Sequence, residues 1–225
     1  MTAPTTRRSA AAARTAQLSE DEIVAASLRI VAREGLGSLT IRRLCDDLRV
    51  TAPAIYYYVP NKRALIERVA EAVVKPVQIP REGDWRERLI ELSERVRDAY
   101  LRYPGLARYA RFHRLSPTAT TLADAVLGML MEGGLDEAAA LEAYDVLTAL
   151  TFGQLIADPS DRVPRGRRPR RVGFLPQTPP AAELYPTLAQ VRATLGTLDA
   201  GDTHRRGMEL LLRGIVPQPS RRRKR

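Results

Sequence analysis

From Ser19 onward apolar residues recur three and four positions apart, the spacing that puts them on one face of a helix. In SEDEIVAASLRIVAREG that face carries Ile23, Ala26 and Ile30. Ser19 is placed to cap it, and acids fill the first turn, where the positive end of the helix dipole favours them. Gly35 ends it. LTIRRLCDDLRV repeats the pattern on a shorter scale: Thr40 is the cap, Ile41, Leu44 and Leu48 share a stripe, and Arg49 and Val50 make the turn. In TAPAIYYYV, Thr51 is the next cap and Pro53 falls in the first turn, where a missing N–H has no intrahelical partner to lose. At about 100° per residue, Ala52, Ile55 and Val59 face one side and Pro53, Ala54, Tyr57 and Tyr58 the other, with Tyr56 at the border. Asn61 caps a fourth helix, NKRALIERVAEAVV, whose first turn holds Lys62. Two short helices joined by about three residues, with a helix before and a longer one after, make a helix-turn-helix module.

The pattern stays helical to the end. After the linker PVQIPREGD come residues 84–102, then YPGLARYARFHR, which Pro104 is expected to open, then SPTATTLADAVLGMLMEGG with Ser116 as cap and Pro117 at the first helical position. Residues 136–157 form a long apolar helix that Pro159 stops; residues 159–180, rich in Pro and Arg, read as a flexible loop. Helical signals resume at Ala181–Leu198 and in THRRGMELLLRGIV. The fold class is therefore all-α: a helix-turn-helix domain over 18–75 and a larger helical bundle over 76–216, flanked by a disordered basic arm, 1–17, and a basic tail, 217–225. The long helix and the last one carry apolar residues on more than one stripe, Leu147, Leu150, Leu155 and Ile156 in one, Met208, Leu210, Leu211, Leu212 and Ile215 in the other. One stripe meets the chain's own core. The second either meets a second subunit in a homodimer or completes the core of a monomer.

Composition narrows the chemistry. With 225 residues, 44% hydrophobic content, no apolar run near the roughly 18 residues a membrane span needs and no signal-peptide pattern, the expectation is a soluble, cytoplasmic protein. Cys45 is the single cysteine, and the two histidines, His113 and His204, show neither metal-ligand spacing nor a nucleophile beside a base. No catalytic residue, metal or cofactor is expected, and the chain does not read as an enzyme. The net charge of +10 is concentrated: three Arg and no acid in 1–17, six Arg against Asp158 and Asp161 in 158–171, and RRRKR at the end. The remainder is slightly acidic. Such segments either strengthen DNA binding by counterion release or merely solubilise the chain; they specify no site. Specificity would come from the third helix, whose outward Tyr hydroxyls can donate to phosphate and whose rings can pack on sugar or a thymine methyl. Alternatively the tyrosines cover the module's own core. Lys62 at an exposed helix start suits a phosphate.

The run LTIRRLCDDLRVTAPAIYYYVPNKRALIERVAEAV resembles the tetracycline-repressor (TetR) family of bacterial transcription regulators, through T-x-R-x-L, a capped short helix with a Tyr, and N-K-x-x-L. In that family the second short helix lies in the major groove. The resemblance implicates Arg42, Thr51, Ala52, Pro53, Tyr56, Tyr58 and Lys62, with Thr40 as a phosphate-touching cap; Tyr57 joins them by its outward position. There are two departures. Arg49 stands where glycine is usual, so a left-handed turn there would cost roughly 1–2 kcal/mol, and Tyr58 and Val59 stand where His and Phe are common, so no operator sequence carries over. GLDEAAALEAYDVLTALTFGQL and HRRGMELLLRGIV resemble the regulatory domain of the tetracycline-repressor branch. That likeness implies a dimer joined by a four-helix bundle and an effector pocket in each subunit. Its candidate lining is Trp85, Tyr100, Tyr103, Tyr109, Phe112, His113, Met129, Thr148, Thr151 and Phe152, residue types that also build ordinary cores. Ala157 stands where relatives that bind magnesium-chelated tetracycline carry an acid, so an apolar or aromatic small-molecule effector is expected instead. The implied function is a dimeric repressor on double-stranded operator DNA, released by its effector. A constitutive DNA-binding protein and a regulator controlled by a protein partner are the other two readings.

Overall fold

The computed structural model describes residues 18–111, 116–157, 183–195 and 200–215. The expected arm 1–17, loop 159–180 and tail 217–225 lie outside the described residues, as do Phe112 and His113. Among the described residues there are ten α-helices and no strand.

The first four helices follow the caps in the sequence. In α1 (Glu20–Glu34) Ser19 and Glu22 form a reciprocal capping box, with N···O distances of 3.2 and 3.1 Å, and Gly35 ends the helix at φ 82° with its N–H on the Val31 carbonyl. A 3₁₀ turn, Leu36–Ser38, leads to α2 (Ile41–Leu48), where Thr40 Oγ1 accepts the Arg43 N–H at 3.0 Å. Arg49 then takes the left-handed conformation, φ 57° and ψ 42°, and the chain enters α3 (Ala52–Tyr58). Asn61 caps α4 (Lys62–Val74) through the Ala64 N–H at 2.9 Å. Ile23, Ile30, Leu44, Ile55, Leu65 and Val69 are buried between these helices, α1 packing on α2 and α4 and α2 on α3. Each such side chain contributes about 1.5–3 kcal/mol of burial.

Two expectations for α3 change. Ala54 and Tyr58 face inward, not outward: the buried side of this short helix holds Ala54 and Ile55, Tyr58 is half-buried, and Val59 follows into the core. The Tyr58 hydroxyl donates to the Leu18 carbonyl, which ties α3 to the residue entering α1. Thr51 occupies the cap position but its side chain makes no capping hydrogen bond. The reason is local. Pro53, at the second helical position, has no N–H to offer, and the Ala54 N–H at the third goes to the Thr51 carbonyl at 3.1 Å.

The remaining helices are α5 (Trp85–Leu101), α6 (Leu106–Arg111), α7 (Pro117–Glu132), α8 (Glu137–Ala157), α9 (Pro186–Leu195) and α10 (Ala200–Gly214). Asp84 caps α5 through the Arg86 and Glu87 N–H groups, and Ser116 caps α7 with Pro117 in its first turn. Pro104 does not open α6. It sits in the preceding turn, where its carbonyl accepts the Leu36 N–H at 2.9 Å and Gly105, at φ 84°, cannot belong to a right-handed helix. Nor does α9 start at Ala181: residues 183–185 form a turn and the helix opens on Pro186. In the larger half α5 packs on α7, α8 and α10, α8 packs on α7 and α10, α6 lies on α8, and α4 reaches over to touch both α5 and α7.

Candidate nucleic-acid interface and internal cavity

On the helix-turn-helix, Thr40, Arg42, Thr51, Pro53, Tyr56, Tyr57 and Lys62 are exposed and Ala52 is half-exposed. Tyr57 is 84% and Tyr56 47% accessible, unusual for aromatic side chains in water. Tyr58 stands apart from the set, since its hydroxyl turns inward; its ring meets the Tyr57 ring edge-on at 5.1 Å, so that it supports the exposed ring from behind. Thr40 accepts its capping bond through oxygen, which leaves the hydroxyl proton available to an outside acceptor. Several nearby cations are engaged within the domain: Arg43 with Glu34, Arg29 with Asp47, Arg63 with Glu67 and Arg68 with Glu20. Among the described residues Arg42, Arg49 and Lys62 form no ion pair. Arg49, from sequence expected only as a turn residue, is an exposed cation as well. Its position immediately before the third helix was the available signal.

A cavity of about 120 Å³, partly open to solvent, lies in the larger half between the last turn of α4 and helices α5, α7, α8 and α10. Among the described residues no charged side chain lines it. Of the residues singled out from the sequence, Tyr100, Thr148, Thr151 and Phe152 border it, and the Tyr100 and Phe152 rings meet edge-on at 5.4 Å. Burial pushes the Tyr100 phenol up to about 12, with the charge of Glu71 adding to the shift. Trp85, Tyr103, Tyr109 and Met129 do not border the cavity. Trp85 packs over Gly133, where a Cβ would come within 2.5 Å of the ring, and the Arg86 guanidinium lies 4.2 Å above its centroid. Tyr109 donates to the Arg63 carbonyl at 3.3 Å, between the two halves of the molecule; Met129 is in the packed core and Tyr103 sits at its edge, in the turn after α5. Conversely Ser93, Tyr144, Met208 and an aliphatic wall including Val74, Leu92 and Val96 line the cavity without having been singled out. Nothing in their spacing separates them from core.

Two polar clusters adjoin this cavity. Thr118, at the start of α7, donates to the Glu71 carboxylate on α4. Burial alone would raise that carboxyl, but hydrogen bonds from Ser116 and Thr118 and the charge of Lys75 together hold it below its ordinary range. On the other side His204 of α10 is fully buried, with Nε2 3.1 Å from Ser93 Oγ and Nδ1 2.8 Å from Gln154 Oε1. Burial, reinforced by Arg97 and opposed by Asp98, pushes this imidazole down to about 4, so the ring is neutral near pH 7. Among the described residues no group of three or more His, Cys, Asp or Glu is placed to hold a metal ion, and no helix is long and apolar enough to cross a membrane.

The sequence model described as "Bacterial regulatory proteins, tetR family" matches residues 23–69, and that described as "Tetracyclin repressor-like, C-terminal domain" matches residues 79–218. The tetracycline repressor protein class A from transposon 1721 of Escherichia coli is 30% identical over 167 residues, 72% of this chain and 77% of that protein. Among solved structures, ActR of Streptomyces coelicolor in complex with actinorhodin superposes with a TM-score of 0.72 at 26% identity, over 88% of this chain and 96% of that one. BioQ with its natural double-stranded DNA operator superposes with a TM-score of 0.59 at 26% identity, over 65% of this chain and 90% of that one. A helix-turn-helix that exposes Tyr56 and Tyr57, set on a helical bundle with a cavity, is thus matched along both of its halves, and the chain belongs to the TetR family of DNA-binding transcription regulators.

Proposed function

We propose that the protein is a dimeric repressor that binds a palindromic operator through α3 and leaves it when an apolar or aromatic small molecule fills the cavity. The observation that carries this reading is the course of α4. Lys62 at its first position lies on the helix-turn-helix surface, and Val74 at its last lines the cavity. One 13-residue helix, about 18–20 Å long at 1.5 Å per residue, therefore joins ligand to DNA. A ligand that reshapes the cavity wall tilts the same rod that presents Lys62. ActR in complex with actinorhodin and BioQ on its operator are relatives in which the two kinds of partner occur separately.

Dimer formation is supported by apolar side chains of α8 and α10 that stand exposed in the single chain, where Leu141, Val146 and Leu210 are 58%, 50% and 67% accessible. Pairing these helices with their copies removes that surface from water. It also sets two copies of α3 about one DNA turn apart, roughly 34–36 Å. The ligand releases DNA only through its differential affinity for the two geometries; a hundredfold loss requires about 2.7 kcal/mol. A repressor is the default sign because a protein bound near a promoter excludes polymerase.

The test is a DNA titration at several salt concentrations, comparing the DNA upstream of the protein's own coding sequence with scrambled DNA. It uses full-length protein and a version lacking residues 1–17 and 217–225, with sedimentation run in parallel. Selective binding by a dimer that survives trimming is the expected result. Equal binding to both DNAs, lost on trimming, would mean that the basic ends bind by charge alone.

A further inference from the structure

The cavity wall has a polar corner whose hydrogen-bonding sense follows from counting protons. Ser93 Oγ lies 2.7 Å from the Ile90 carbonyl and 3.1 Å from His204 Nε2, and Ser93 is itself part of the wall. A serine hydroxyl has one proton and two lone pairs. A carbonyl can only accept. If the proton goes to Ile90, His204 Nε2 must carry its own proton and donate to Ser93; Nδ1 then accepts from Gln154, with the side-chain amide turned so that its nitrogen faces the ring. If instead Nδ1 carries the proton and donates to Gln154 Oε1, at 2.8 Å, Nε2 becomes the acceptor and takes the Ser93 proton. In either tautomer the hydroxyl proton is held inside the wall. Toward the cavity Ser93 offers a lone pair and nothing else.

The rest of the lining restricts the ligand further. The Thr151 hydroxyl donates to the Leu147 carbonyl of its own helix, 2.9 Å away, and so is turned from the cavity as a donor. Among the described residues no lining residue is charged, and an anion there would enter an apolar space without a counter-ion. The edge-to-face pair of Tyr100 and Phe152 supplies an aromatic surface.

We propose that Ser93, held in place by His204 and Gln154, selects the effector: an uncharged aromatic molecule that presents a hydroxyl or N–H donor to Ser93 Oγ. Ser93 touches the ligand; His204 and Gln154 are positioning residues. This inference rests on the effector reading above, but it concerns ligand chemistry and is tested without DNA.

The experiment is calorimetric titration of the full-length protein at neutral pH with 2-naphthol and with 2-methoxynaphthalene, which share a ring system and differ in the donor. The wild-type protein should bind the naphthol about tenfold more tightly than the ether, the usual consequence of one hydrogen bond. Ser93→Ala should abolish that preference by weakening the naphthol alone. The imidazole nitrogen resonances of His204 should move on addition of the naphthol and stay in place with the ether, a readout that a purely structural histidine would not give. Equal affinity of the wild type for both compounds overturns the assignment of Ser93 while leaving a ligand cavity in place. Equal weakening of both by Ser93→Ala also overturns it. Binding of neither overturns the ligand class, and the DNA-binding reading then stands or falls on the operator titration.

Discussion

Arg49 is the clearest case of a residue held against its preference. It is the single non-glycine residue with positive φ among the described residues, and it closes α2 in a conformation that glycine adopts without penalty. Arg49→Gly should raise the stability of the protein by about 1 kcal/mol in a denaturant titration. The same change removes an exposed cation next to α3, so DNA affinity should fall as stability rises; a parallel rise in both would show that Arg49 has no part in binding. Thr51 separates two roles that sequence reasoning combined. A capping threonine replaced by alanine loses about 1 kcal/mol, but this one makes no capping bond. Thr51→Ala should therefore leave the melting temperature within a degree or so while weakening DNA binding. Lys62→Ala should weaken binding to operator and scrambled DNA alike and lower the salt slope by about one.

At the scale of helices, the capped starts and the buried faces of α1 and α2 were legible, and the buried face of α3 was not. Ser19, Thr40, Asn61, Asp84 and Ser116 all stand at helix starts in the structure, and four of them had been read as caps from sequence, Asp84 being only the first residue of its expected segment. A cap acts through hydrogen bonds two or three residues away, so its cause lies in the same few letters. The buried side of α3 is different. Helical spacing put Ala52 inward and Tyr58 outward, whereas packing on α2 and the Leu18 carbonyl turns Ala54 and Tyr58 in. Helix junctions also depend on small residues whose purpose is invisible locally. Gly133 has an ordinary helical φ of −68°, so its smallness serves Trp85 alone. Gly133→Ala should destabilise the protein by about 1–3 kcal/mol through overpacking. Because Trp85 is the sole tryptophan, the displacement should appear as a shift in its fluorescence.

Across the whole molecule, α5, α8 and α10 are hydrogen-bonded together at His204, whose partners are 111 and 50 residues away in sequence. This ring is neutral in the folded protein down to about pH 4, whereas in the unfolded chain it takes up a proton near the usual 6.5. Between those values the unfolded state binds more protons, so stability should fall as pH is lowered from about 6.5 to about 4 and be flat in this respect above. The slope from one such group is at most about 1.4 kcal/mol per pH unit. Urea titrations across that range check it, and His204→Gln should flatten the difference between pH 6.5 and pH 5. The sequence by itself determined the all-helical class, the capped helix starts at Ser19, Thr40, Asn61 and Ser116 and the helix-turn-helix with its family, because capping, helical periodicity and a short motif are written within neighbouring residues. Tertiary structure alone decided which tyrosines of α3 are left exposed, which of Trp85, Tyr100 and Met129 meets a cavity, and why a buried histidine stands behind Ser93. Those outcomes depend on what packs against each side chain, and the packing partners come from helices far apart along the chain.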